Sequence, residues 1–285
     1  DTSRLSLQLK VGAITQPLDG QSLGGGISGL VRFRNNDLAN AMNQVGRLAV
    51  VLADSFNTQQ SLGVDANGVP GRALFSVPEP VTRANSANSG TNTITATVSN
   101  SAALKPSDYQ VDWNGSAYTI TRLSDGLTTT TAMVPATMDG LTFTSSGPIA
   151  PGNSYTIQPY AVAATGLSAQ ALLPREIATG YAATVESAAT NSGNAVVRQF
   201  QVNRQTPDTT LPVTLVFNDP PTTFNVTGLT GGNLANVPYT PGQRVPAAPA
   251  DYNGWSLTLD GPPAAGDSFQ VKQTLSPANN NGNDL

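Results

Sequence analysis

The sequence predicts an α+β protein, in which one long amphipathic helix is followed by two related small antiparallel β-domains. Three observations lead there. The apolar residues recur with a helical period over residues 36–60 and with a period of two from Thr93 onward. Gly, Pro and Asn-Gly turn signals cut the second region into short strands. One stretch of that β-sequence occurs twice.

Taken in order, Leu5, Leu7 and Leu9 alternate with polar neighbours and predict a strand that ends in a turn at Pro17 and Gly20. Gly24, Gly26 and Gly29 satisfy G-x-G-x-x-G. A phosphate cradle, however, needs a buried strand directly before the motif and a helix opening on its last glycine. Here LDGQSL precedes it and the helical pattern starts later, so a flexible turn is expected. Asn35 or Asn36 can cap the helix, and Asp37 falls in its first turn, where negative charge is favoured. Leu38, Met42, Val45, Leu48 (or Ala49), Leu52 and Phe56 recur at steps of three and four and form the candidate helix-packing interface. Asn40, Asn43, Gln44, Arg47 and Asp54 fall on the other side. So narrow a seam packs on other helices, and no second long helical pattern is evident. The chain therefore reads as a piece of a longer protein.

After the helix, Asp65 and Asn67 have the spacing of calcium ligands, but Ser76 stands where a bidentate Glu is needed, so an Asn-Gly turn is expected. Pro70, Pro78 and Pro80 break further helix and mark a boundary over residues 81–92. TITATVSN, DYQVDWNG, AYTITRLS, GLTFTSSG and NSYTIQPY then alternate as five strands. LSAQALLPREI suggests a short helical connector interrupted at Pro174. Beyond it, residues 254–271 align without gaps onto residues 140–157, with glycines, the Gly-Pro pair and an aromatic position coinciding. The resulting division is a partial helical domain over 1–84 (helix 36–60), a β-domain over 85–165, a connector over 166–179, a repeat of the β-domain over 180–278, and a polar lead over 279–285.

Composition narrows the function. Of 285 residues, 39% are hydrophobic and only 11% charged, with a net charge of −4 and no basic run, which argues against a nucleic-acid partner. No apolar stretch approaches a membrane span. There is no cysteine for a disulfide or thiolate site and no histidine, the commonest general base. Lysine occurs only at Lys10, Lys105 and Lys272, amid strands or turns. No catalytic, cofactor or metal residue is therefore expected, and a non-enzyme is favoured. Two alternatives stay open. An extracellular glycan hydrolase would need two carboxylates meeting in the fold; the candidates Asp108, Asp112, Asp251, Asp260 and Asp267 read by default as turn and strand residues. A secreted adhesin or carbohydrate-binding module would need an exposed row of aromatics. Trp113, Trp255, Tyr118, Tyr155, Phe143 and Phe269 instead sit at positions that fill cores. The N-terminal DTSRLSLQLK shows no cleavable signal.

Residues 23–75 also carry distinctive words. Gly25-Gly26-Ile27-Ser28-Gly29-Leu30-Val31-Arg32-Phe33-Arg34, Gly46-Arg47-Leu48-Ala49, Leu52-Ala53-Asp54-Ser55-Phe56-Asn57 and Gly63-Val64-Asp65-Ala66-Asn67-Gly68 resemble, in order and spacing, the flagellar hook-associated protein 1 family. The resemblance implies a structural, non-catalytic adaptor at the hook–filament junction, in which terminal helices build a tubular core and β-domains lie outside. It implies that further helices precede residue 1 and follow residue 285, pairing with residues 36–60. Its implied partners are the hook protein, a second junction protein, further copies of itself and an export chaperone, with export through the flagellar secretion channel. Without those helices, the present chain is expected to be monomeric.

Overall fold

Helix begins in the glycine-rich run, where the sequence suggested a turn. Helix α1 (Gly25–Arg32) leads through a π-helical turn (Phe33–Leu38) into α2 (Ala39–Leu62). Asn35 and Asn36 therefore lie on helical backbone instead of capping it, and Asp37 lies within the π-helical turn instead of in a first turn. Glycine costs about 1 kcal/mol per helical position relative to alanine, a weak preference that surrounding structure overrides. The π turn holds more residues than an α turn and so shifts the phase between the apolar positions before and after it. In the computed structural model the described residues are 7–11, 14–18, 25–204 and 212–274. Leu5, Gly20, Gly24 and the 279–285 lead fall outside them. Leu7–Val11 pairs antiparallel with Ile14–Leu18.

The chain divides into two units, Asp1–Asp54 with Phe75–Ala169 and Ser55–Leu74 with Gln170–Leu285. In the first, eight strands make a β-domain: β1 (Val81–Ala84), β2 (Ile94–Val98), β3 (Tyr109–Trp113), β4 (Tyr118–Arg122), β5 (Thr128–Thr131), β6 (Ala136–Met138), β7 (Leu141–Ser145) and β8 (Ser154–Gln158). Five form one antiparallel sheet in the order β1-β8-β3-β4-β5, and three form another in the order β6-β7-β2. The five strands legible as alternation are all present. The other three carry weaker signals: β5 is four threonines, β6 has three residues, and β1 lies in the stretch read as a boundary. Both sheets turn alternate side chains into one core, with Ile94, Leu141 and Phe143 from the smaller sheet and Tyr109, Val111, Ile120, Tyr155 and Ile157 from the larger.

The second unit repeats this arrangement strand for strand: β9 (Ala183–Ser187), β10 (Val196–Val202), β11 (Val213–Phe217), β12 (Thr223–Thr227), β13 (Leu234–Pro238), β14 (Arg244–Val245), β15 (Trp255–Asp260) and β16 (Ser268–Gln273). The sheets run β9-β16-β11-β12-β13 and β14-β15-β10, the same order advanced by eight. Trp255, Leu257 and Leu259 face Leu215, Phe217, Phe224, Phe269 and Val271 in its core. Two-residue ladders frame the units: Phe75–Ser76 pairs with Ser168–Ala169, and Gly63–Val64 with Gly180–Tyr181. The connector expected to be helical holds the short strand Ser168–Ala169 and a 3-10 turn, Pro174–Glu176, because Pro174 can start a helical turn but cannot sit inside one.

Candidate assembly surface on the long helix

Helix α2 presents two unlike faces. Asn43, Gly46, Ala49, Val50 and Ala53, recurring at three and four, are buried. Gly46 lies so close to the first β-domain that a Cβ built on it would stand 2.5 Å from the Tyr160 Cβ and 2.8 Å from the Tyr160 carbonyl oxygen. Val50 enters the same core as Tyr160 and Leu104. Polar clamps flank this seam: the Arg47 Nη1 donates to the Leu104 carbonyl at 3.3 Å, and the Ser101 hydroxyl donates to Asp54 Oδ2 at 2.5 Å. The Tyr160 hydroxyl, donating to the Lys105 carbonyl at 2.8 Å, fixes the ring against which Gly46 rests.

The sequence assigns Asn43 to the outward polar side, and the structure buries it. The reason is size. A helix backbone can come within contact of a β-domain only where its side chains are small, and Gly46, Ala49 and Ala53 provide that strip. The spacing of these small residues was readable in the sequence but was outweighed there by the larger apolar stripe.

The large stripe faces outward. Leu38, Met42, Val45, Leu48 and Leu52 are exposed, Val45 at 57% and Leu48 at 65%. Phe56, in the last turns of α2 that belong to the second unit, is half-buried. Leu30 and Phe33 add to the exposed apolar side chains ahead of α2, and neither was picked out by the sequence reading. Leu38, Val45 and Leu52 stand seven residues apart with Leu48 between, the spacing that helix-packing seams use.

The polar and aromatic side chains of the β-domains that the sequence raised as alternatives are held by the fold. Trp255, Phe143, Tyr155 and Phe269 are fully buried, Tyr118 is buried and Trp113 half-buried against it at 4.2 Å, so these six aromatics form no exposed row. A depression of about 470 Å³ is lined by Trp113, Tyr118, Met133, Val134, Pro135 and Thr144 among others, with no carboxylate in its wall. Asp267 is buried as an acceptor for the backbone N–H groups of Ser192, Gly193 and Ala264 at 2.8–3.1 Å. Burial pushes its pKa up, the three N–H bonds push it down further, and the net shift is downward. Asp65 Oδ1 accepts from the N–H groups of Asn67 and Val69, holding the turn expected there, and the Val69 bond chiefly lowers its pKa. Arg122 bridges Asp125 and Asp139 and holds the Asp125 carboxyl down to about 2. Burial, helped by its bond to Asp139, pushes the Tyr109 hydroxyl well above its ordinary range. Each of these groups serves the fold. Among the described residues no three His, Cys, Asp or Glu side chains gather as a metal site, and no helix is long and apolar enough to cross a membrane.

Known proteins match this arrangement. Residues 1–75 fit the family described as the flagellar hook-associated protein FlgK helical domain, and residues 83–159 fit the D2-like domain of flagellar hook-associated protein 1. The solved flagellar hook junction protein FlgK from Burkholderia pseudomallei superposes with a TM-score of 0.75 at 30% identity, over 95% of this chain and 54% of that one. The chain belongs to the flagellar hook-associated protein 1 family. Its relative from Escherichia coli strain K12 is 35% identical over 138 residues, 47% of this chain and 25% of that protein. The Salmonella typhimurium relative is 34% identical over 159 residues, 54% of this chain and 29% of that protein. The match thus spans little more than a quarter of these relatives' length. Residues 83–159 coincide with the first β-domain; its repeat in the second unit extends the shared architecture further along the chain.

Proposed function

We propose that this chain is part of a hook–filament junction protein of the bacterial flagellum, a non-catalytic adaptor between two helical assemblies. The observation that carries it is the exposed stripe Leu38, Met42, Val45, Leu48 and Leu52 on a helix whose small-residue face is already packed. An apolar seam of this length on one side of a helix is a surface built to be covered by helices. Phe56 is assigned to the lower end of the same interface. In this reading the covering helices come from the flagellar axis: other segments of the intact protein, further copies of it, the hook protein and the second junction protein. An export chaperone serves a C-terminal region outside this sequence. The two β-domains, each with its own closed core, form outward bodies that tilt without taking part in the axial seam. The protein works outside the cell, supports motility and reaches its place through the flagellar secretion channel.

Immunogold labelling of the source bacterium with antibody against this chain tests the reading. One cluster where each filament meets the hook is the expected result. Label along the whole filament, or on the envelope with bare flagella, contradicts it.

A further inference from the structure

Asn-Gly pairs occur at Asn67, Asn114, Asn253 and Asn281, the last outside the described residues. Glycine leaves its backbone nitrogen unshielded, so the asparagine side-chain carbon before it is open to intramolecular attack. Attack needs a backbone nitrogen not tied up by an acceptor, donors for the negative charge that builds on Oδ1, and water to complete the conversion. Donors reach Oδ1 at Asn114 and also at Asn253, where Thr230 gives its N–H and hydroxyl at 3.0 Å each, so the glycine nitrogen and the access of water separate those two pairs.

At Asn67 the Gly68 N–H is taken by the Asp65 carbonyl at 3.0 Å. The Asp65 carboxylate also accepts from the Asn67 amide at 3.3 Å, placing negative charge where more would develop. At Asn253 the Gly254 N–H donates to Asp251 Oδ1 at 2.9 Å, the side chain is buried, and its amide donates to the Gly228 carbonyl at 3.2 Å. At Asn114, in the hairpin tip between β3 and β4, the side chain is exposed and the Gly115 N–H makes no hydrogen bond among the described residues. Asn114 Oδ1 receives the Ser116 N–H at 2.8 Å, the Ala117 N–H at 2.8 Å and the Ser116 hydroxyl at 2.9 Å. Three donors on one amide oxygen form an oxyanion hole built by the turn itself.

We propose that Asn114-Gly115 is a self-modifying site, at which the turn drives conversion of Asn114 to aspartate and isoaspartate. The Gly115 nitrogen gives its proton to solvent and bonds to the Asn114 Cγ. The charge goes to Oδ1, where Ser116 and Ala117 hold it. The bond from Cγ to the side-chain nitrogen then breaks and ammonia leaves with a proton from water, closing a succinimide. Water opens the ring at either carbonyl. In total one water is consumed and one ammonia released, and nothing is oxidised or reduced. The hairpin tip gains a negative charge and, in the isoaspartate product, an extra backbone atom beside the Trp113–Tyr118 pair.

The test is peptide mapping by mass spectrometry of the purified chain, held folded at mildly alkaline pH, with enzymatic methyl transfer onto isoaspartate as a second readout. Asn114 is expected to convert faster than Asn67 by on the order of tenfold, with Asn253 intact. Ser116→Ala keeps the Asn-Gly dipeptide and removes one donor, and slows conversion at Asn114 by on the order of tenfold. Circular dichroism confirms that the variant is folded. Conversion at Asn67 as fast as at Asn114, or an Ser116→Ala rate equal to that of the parent, overturns the proposal.

Discussion

The two β-domains share every strand and nearly every turn, yet at two equivalent positions they exchange a carboxylate for an amide. In the first, Asn88 accepts from the Ser154 N–H and donates back to its carbonyl, and Asn191 does the same to Ser268 in the second. The next clamp differs. Asn153 accepts the Ser89 N–H and donates to the Ser89 carbonyl, whereas Asp267 faces only N–H groups. At the turn before β7 the pattern reverses. Asp139, at φ 51°, receives only donors, from Tyr109 and Arg122, while its counterpart Asn253, at φ 47°, accepts from Thr230 and donates to the Gly228 carbonyl. The shared fold fixes the place of a polar side chain. What faces that place, donors alone or donors with a carbonyl, decides between acid and amide.

The largest expected break in the symmetry comes from the tryptophans. Trp255 is fully enclosed with Phe200 and Tyr252, so Trp255→Ala should cost the second domain about 3–5 kcal/mol. Trp113 is half-buried on Tyr118, and Trp113→Ala should cost the first domain about 1 kcal/mol. Urea unfolding followed at each domain's own probe checks both; equal losses would mean that the second core is no tighter than the first. Next come the clamps. Asp267→Asn turns an amide nitrogen toward N–H donors, and Asn153→Asp sets a carboxylate against the Ser89 carbonyl, each at about 1–3 kcal/mol. Both losses confined to the substituted domain would show the choice of acid or amide to be local.

A smaller difference appears in acid. The folded-state pKa of Asp267 lies below the ordinary aspartate value of 3.8, so its stabilisation is present above that pH and lost as pH falls through the folded value. Asp65, also in the second unit, is shifted the same way. The first domain carries Asn153 at the position of Asp267. Its lowered carboxyl is Asp125, half-exposed and paired with Arg122, where solvent screening leaves little stability to lose. With Trp113→Phe leaving Trp255 as the only indole, fluorescence should show the second domain weakening as pH drops below about 4. Asp267→Asn should flatten that slope, and an unchanged slope would assign the acid sensitivity elsewhere.

Much of this was written in the sequence. Alternation revealed the strands that combine polar and apolar residues, and the gapless repeat revealed that one architecture is used twice. Strand β5 stayed hidden because four threonines carry no alternation, and β1 because prolines crowd its start. The clamps could not be read, since Asn153 and Ser89 meet only when distant strands pair. On the helix the large apolar positions were plain, while the buried face was missed because closeness, and not hydrophobicity, selects Gly46, Ala49 and Ala53. Gly46→Ala should therefore cost about 1–3 kcal/mol, measured by thermal unfolding, by pressing a methyl group into Tyr160.

The most direct test of the account is the double substitution Val45→Ser with Leu48→Ser on the exposed stripe, made both in this chain and in the intact flagellar protein of the source strain. Thermal unfolding of the chain should shift by no more than about 0.5 kcal/mol, because neither side chain is packed. Electron microscopy of the cells should show hooks without attached filaments. Hooks carrying normal filaments, with the chain's stability unchanged, would contradict the assignment of this helix face to assembly.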